Sequence, residues 1–123
     1  MIELPEAVTI ANQMNLELTG KTLKAFYRGN LTHKFLWLNH PDDVFETILP
    51  NLVVAGASSF GRSIYLHLGT HMLWWGDTGG RLLYHSHGGK LPSKYHLRWD
   101  FTDGSSLTFA MQMWGSVKLI DQS

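Results

Sequence analysis

The chain has 123 residues, 44% of them hydrophobic and 16% charged, a composition typical of one folded domain rather than of a disordered segment. Ten basic and ten acidic residues give a net charge of zero, so the overall positive charge typical of nucleic-acid-binding proteins is missing. The lack of cysteine excludes disulfides and thiolate zinc sites. No apolar run is as long as a membrane span and no signal peptide is recognisable, so the cytoplasm is the expected compartment.

Two helices are predicted from hydrophobic spacing. Apolar residues recur at three- and four-residue steps over about 5–18, and Gly20 is suited to end this helix in the left-handed conformation. A second helix is predicted at about 42–49, with Asn39 or Asp42 as its N-cap and Pro50 after its end.

The rest of the chain is predicted to be mostly β. Glycine-containing turns at even spacing separate short apolar segments, and Asp103-Gly104 is a strong hairpin signal. The expected strands are 22–27, 33–38, 52–57, 63–68, 72–75, 81–86, 95–101, 106–111 and 117–120, with a turn at 58–61. The predicted fold class is α+β and β-rich: a two-layer antiparallel β-sandwich flanked by the two helices, in a single domain over 1–123.

The amino-terminal residues carry a chemically suggestive arrangement. An α-amine has a reference pKa near 8, so part of it is neutral and nucleophilic at about pH 7. Glu3 and Glu6 lie close to that amine in sequence, and a carboxylate can transfer protons for a neighbouring nucleophile. The alternative is that Pro5 and Glu6 only begin the first helix, where both residue types are favoured.

Glu3-Leu4-Pro5-Glu6 before an apolar helix resembles the amino terminus of the formamidopyrimidine-DNA glycosylase and endonuclease VIII family. In that family the initiator methionine is removed and the second residue, usually proline, attacks C1′ of a damaged nucleoside to form a Schiff base. The resemblance implies the α-amine of Met1 or Ile2 as nucleophile, Glu3 for proton transfer and Glu6 as a second acidic group. Ile2 departs from the family's proline, and a bulky second residue hinders methionine removal.

Two further segments resemble the family's DNA-contacting positions. Arg62, within 60–66, stands where the family has a phosphate-binding lysine, and its planar fork suits phosphate. Asp77, in the glycine-bounded turn 76–79, stands where an apolar residue fills the gap in the duplex. The alternatives are an exposed arginine that begins a strand and an aspartate that bonds its own turn.

A third segment resembles a later hairpin tip that carries an arginine and an aromatic wedge in the family. The residues there are Gln112, Met113 and Trp114. Glutamine can pair with an orphaned base, whereas methionine and tryptophan can fill or stack in a gap. The alternative is that these side chains lie in the sandwich interior.

Other clusters have simpler interpretations. The basic residues Lys21, Lys24, Arg28 and Lys34 lie close in sequence, either as a local nucleic-acid-binding cluster or as a solvated strand edge. Histidines at 67, 71, 85 and 87 lack an obvious carboxylate partner. We therefore expect no metal and no cofactor.

The resemblance implies a DNA-repair glycosylase and abasic-site lyase, acting on oxidised bases, with damaged or abasic double-stranded DNA as partner. The helical DNA-clamping and finger domains of the family are not recognisable here, so weak or no activity is expected of this chain alone. The alternatives are a catalytically inactive member that binds DNA weakly and a protein-interaction domain. The sequence does not specify an oligomeric state.

Overall fold

The computed structural model describes residues 4–30, 36–76, 80–111 and 115–122. Two helices, α1 (Leu4–Leu18) and α2 (Asp42–Ile48), accompany nine strands in these ranges. The strands are β1 (Leu23–Arg28), β2 (Leu36–Leu38), β3 (Gly56–Phe60), β4 (Ser63–His67), β5 (His71–Gly76), β6 (Gly80–His85), β7 (Leu97–Phe101), β8 (Ser106–Met111) and β9 (Gly115–Asp121). The predicted fold class is confirmed, and neither helix is long and apolar enough to cross a membrane within these ranges.

The strands form two sheets. One has the order β1-β7-β8-β6 and the other the order β2-β9-β5-β4-β3. All neighbouring strands are antiparallel except β2 and β9, which are parallel. Asn39, predicted as a helix cap, extends this parallel pairing instead: its side chain donates to the carbonyl of Leu119 and accepts from the Leu119 N–H, both at 2.9 Å. The helix α2 begins after Pro41 without a side-chain cap.

The sheets pack face to face through alternating apolar side chains. Trp75 of β5 and Trp99 of β7 are fully buried, and their rings meet edge to face at 5.3 Å between centroids. Phe26 of β1 contacts both Trp99 and Phe45, so α2 joins the same core. One continuous core therefore fixes the two sheets against each other.

The first helix buries one stripe of its surface and is anchored at its carboxyl end. The buried residues Ala7, Ala11, Met14 and Leu18 recur at three- and four-residue steps, as the sequence predicts. Gly20 has φ +89° and its N–H donates to the carbonyl of Val54 at 2.8 Å. The helix packs on β3 and β4.

The predicted turn at 58–61 is wrong. Ser58 and Ser59 lie within β3, opposite Tyr65 and Ile64, and only Gly61 and Arg62 connect β3 to β4. The residues before Gly56 do not form a strand: Val53 makes only an isolated bridge to Thr22, and the Val54 carbonyl accepts the Gly20 N–H at the end of α1. Asn15 of α1 accepts the Ala57 N–H at 3.1 Å, which places the carboxyl-terminal part of α1 beside the start of β3.

Candidate functional site

Several strand ends coincide at one end of the sandwich. In the five-stranded sheet, Ile64 lies opposite Trp75, Gly76 opposite Ser116, and Leu36 opposite Gly115. In the four-stranded sheet, Gly80 lies opposite Met111. We call this end, bounded by Leu36, Arg62, Gly76, Gly80, Met111 and Gly115, the crossover end.

Two connections between the sheets attach side by side at the crossover end. β5 lies in one sheet and β6 in the other, so residues 77–79 join the two sheets. Residues 112–114 join them in the opposite direction, from β8 to β9. β8 and β9 lie in different sheets and are not paired with each other, and the predicted tip residues Gln112, Met113 and Trp114 lie between them, outside the described residues. Register nevertheless places the attachment points of both segments next to each other.

The amino terminus is directed toward the same end. The carboxyl end of α1 is held at Val54 and Ala57, at the opposite end of the sandwich. A helix of 15 residues is about 22 Å long, and α1 packs along β3 and β4. Its first turn therefore lies toward the turn that contains Arg62.

The β3–β4 turn presents an exposed aromatic ring and a cation. Phe60 is 81% exposed, and Arg62 is exposed two residues later. Gly61 between them has φ +59°, a conformation that costs a side-chain-bearing residue energy. The sequence analysis did not identify Phe60 as a candidate site residue. Its position next to Gly61, a typical turn residue, could have indicated that its ring is exposed.

The structure describes only two of the predicted site residues. Glu6 is exposed in the first turn of α1, and Arg62 is exposed at the crossover end. The other predicted residues lie outside the described ranges: Met1, Ile2, Glu3, Asp77, Gln112, Met113 and Trp114. Their roles therefore stay predictions, although the described residues that flank them converge on one end.

Ion pairs neutralise much of the predicted basic cluster. Lys21 pairs with Asp103, and Arg28 pairs with Asp42 at 2.9 Å. The hydrogen bond to Asp103 raises the pKa of Lys21, and the bonds from Lys21 and Ser105 hold the pKa of Asp103 well below its usual range. The interpretation as a solvated strand edge is thus favoured over a cluster open to phosphates.

Trp74 and Trp75 lie on opposite faces of the five-stranded sheet. Trp75 points into the core, whereas Trp74 lies on the outer face beneath the ammonium of Lys118, 4.8 Å from the ring centroid. Trp37 on β2 is 54% exposed. An aromatic outer face therefore borders the crossover end through Gly76, whose backbone lies directly against the Trp74 ring.

The histidines at 67 and 85 do not approach each other. His67 belongs to the five-stranded sheet and bonds Ser58, whereas His85 belongs to the four-stranded sheet and bonds Thr108. Burial, followed by the nearby charge of Arg98, lowers the pKa of His85. Within the described ranges, no three histidine, aspartate or glutamate side chains are grouped as metal ligands.

The family profile described as formamidopyrimidine-DNA glycosylase N-terminal domain matches residues 1–113, which is most of the chain. The chain belongs to this family. A comparison with curated proteins gives no match.

Solved structures show the same fold as this glycosylase-family domain. MutM in complex with carbocyclic 8-oxo-G containing DNA is 16% identical with a TM-score of 0.80, over 98% of this chain and 45% of that chain. Lactococcus lactis formamidopyrimidine-DNA glycosylase, bound non-covalently to DNA containing an AP site, is 17% identical with a TM-score of 0.79, over 97% and 45%. The same enzyme with FAPY-dG containing DNA has 17% identity and a TM-score of 0.81, over 98% and 44%. The chain thus spans less than half of these proteins.

Proposed function

We propose that this chain is the amino-terminal, nucleophile-carrying domain of a DNA glycosylase and abasic-site lyase. The observation that supports the proposal most is the convergence at the crossover end. The first turn of α1 is directed there, Arg62 lies there, and 77–79 and 112–114 both attach there. The solved relatives bind DNA with a damaged base or an abasic site.

The proposed chemistry uses the α-amine of Met1 or Ile2. Its electron pair forms a bond to C1′ of the deoxyribose while the bond from C1′ to the damaged base breaks, and the base leaves with a proton. Glu3 transfers a proton to the ring oxygen as the sugar opens. The resulting iminium then loses a proton from C2′, and the C3′–O bond breaks.

The proposed DNA contacts surround this amine. Arg62 binds a phosphate beside the extruded nucleotide, because a guanidinium can donate two parallel hydrogen bonds to phosphate oxygens. Gln112, Met113 and Trp114 probe the gap in the duplex, and Asp77 lies in the neighbouring segment. Glu6 supplies a second carboxylate near the start of the helix dipole.

Borohydride trapping tests the proposal, because borohydride reduces the iminium to a stable covalent adduct. We expect an adduct with abasic-site duplex DNA, and a strongly reduced yield for Glu3→Gln. The matched control is Glu17→Gln, since Glu17 lies on the last turn of the same helix at the opposite end of the sandwich. No adduct under conditions in which a known glycosylase forms one would overturn the enzymatic proposal for this chain.

A second candidate is a catalytically inactive member of the family that binds DNA weakly. Two observations favour it: Ile2 stands where the family has proline, and two cations of the basic cluster are already paired with carboxylates. Intact-mass spectrometry separates the candidates. A retained Met1, together with abasic-site DNA binding and no trapping, supports the inactive protein.

We also propose that this domain needs further DNA-binding elements for tight binding. Its net charge is zero, and the chain spans about 45% of the solved relatives. For a domain that makes few phosphate contacts, we expect weak DNA affinity even at low salt and a shallow decrease of log K with log salt. Cytoplasmic localisation remains a prediction from the sequence.

A further inference from the structure

His96 is a histidine with 4% exposure at the crossover end, and it connects three segments of the chain. Its backbone N–H donates to the carbonyl of Phe109 at 2.9 Å, and its carbonyl accepts the Gly29 N–H at 2.8 Å. Its ring Nδ1 accepts the N–H of Met111 at 2.9 Å. Met111 is the last residue of β8 and immediately precedes 112–114.

The His96 ring supplies a hydrogen-bond acceptor to β8 at a point that the paired backbone of β7 does not reach. β7 begins at Leu97, opposite Phe109, whereas β8 continues two residues farther to Met111. The Met111 N–H therefore extends beyond the β7 ladder, and a buried N–H without an acceptor costs about 1–3 kcal/mol. The His96 side chain supplies that acceptor, which requires a neutral ring with its proton on Nε2.

We propose that His96 is a positioning residue that fixes the direction in which the chain leaves β8 toward Gln112, Met113 and Trp114. Met111 is held from two sides, by its pairing with Gly80 and by the ring of His96. A segment that fills a gap in DNA must be placed to within about 0.5 Å, so its base needs such support. The inference rests on the proposed function of 112–114.

Variants of similar size separate positioning from a purely structural role. Asparagine places an acceptor near the position of Nδ1, whereas glutamine places it farther out and leucine removes it. We expect His96→Asn to retain the Met111 bond and His96→Gln and His96→Leu to lose it. The matched control is His85→Leu, which removes another hydrogen-bonded histidine at the opposite end of the sandwich.

Two measurements test the inference. Hydrogen exchange of the Met111 amide reports the bond, and we expect it to accelerate about tenfold in His96→Gln and His96→Leu. The ratio of the Kd for intact duplex to the Kd for duplex with a stable abasic-site analogue, measured at low salt, reports gap recognition. A loss of folded protein changes both Kd values alike, so only a change in placement moves their ratio.

The outcomes are distinct. We expect the ratio to fall severalfold in His96→Gln and His96→Leu and to be retained in His96→Asn and His85→Leu. Unchanged Met111 exchange, or a wild-type ratio in folded His96→Gln, would overturn the positioning role. A wild-type protein with no preference for the abasic site would instead overturn the proposed function, and the recognition role of His96 with it.

Discussion

Replacing Gly29 with alanine tests the close backbone packing that supports the crossover end. A Cβ at this position would lie 2.0 Å from the carbonyl oxygen of Tyr95, and an ordinary contact begins at 3.4 Å. The two backbones must therefore separate by about 1.4 Å, the difference between these distances. That shift breaks the 2.8 Å hydrogen bond from the Gly29 N–H to His96.

The expected loss of stability is about 2–4 kcal/mol, from about 1 kcal/mol for the hydrogen bond and about 1–3 kcal/mol for overpacking. Gly29 does not have a left-handed φ, so conformational strain adds nothing to this figure. Urea unfolding measures the loss, and the midpoint should fall by about 1 M or more.

Gly61→Ala is the comparison, because Gly61 has φ +59° with no atom within 4 Å of the added Cβ. It should cost about 1 kcal/mol from backbone strain alone. A Gly29→Ala protein as stable as Gly61→Ala, or more stable, would refute the packing argument.

Two further predictions concern the ion pairs. Asp103→Asn should lower stability by less than about 1 kcal/mol at pH 7, since the pair is partly exposed. Folding lowers the pKa of Asp103, so its contribution to stability is present above the unfolded pKa of about 3.9 and is lost as the pH falls through the folded pKa. Urea unfolding should therefore show a smaller loss of stability in Asp103→Asn at pH 3 than at pH 7. An equal loss at both pH values would contradict this prediction. Asp42→Asn should release Arg28 for phosphate, and steepen the dependence of log K for duplex DNA on log salt by up to about 0.9. Asp43→Asn changes the net charge equally without breaking a described ion pair, so an equal effect of both variants would indicate net charge instead.

The regular elements could be predicted from the sequence because their signals are local. The stripe of α1 and the Asp103-Gly104 hairpin follow from spacing and turn chemistry, and both are confirmed. The sequence predicts a turn at 58–61, yet Ser58 and Ser59 pair with Tyr65 and Ile64 of β4 and continue the strand. The local preference of a short segment for strand or turn is weaker than the stabilisation it gains by pairing with a neighbouring strand.

Long-range contacts account for what the sequence did not reveal. Lys21 meets Asp103 across 82 positions and Arg28 meets Asp42 across 14, so a group of cations adjacent in sequence is neutralised only in the fold. The same applies to Asn39, which looks like a helix cap and instead bonds β9 80 positions away. His96 carries no local signal, because its acceptor role arises only where β7 stops short of β8.

The two connections between the sheets, 77–79 and 112–114, explain how this fold can keep its geometry while the predicted site residues change. The frame is held by core contacts such as Trp75 against Trp99, and by strand register up to Gly76, Gly80 and Gly115. Residues 77–79 and 112–114 are attached to that frame at both ends, at Gly76 and Gly80 and at Met111 and Gly115. At 16–17% identity the frame is retained. We therefore propose that the departures at Ile2, Arg62 and Asp77 affect activity and DNA contact, and borohydride trapping and DNA binding are the measurements that test their effect.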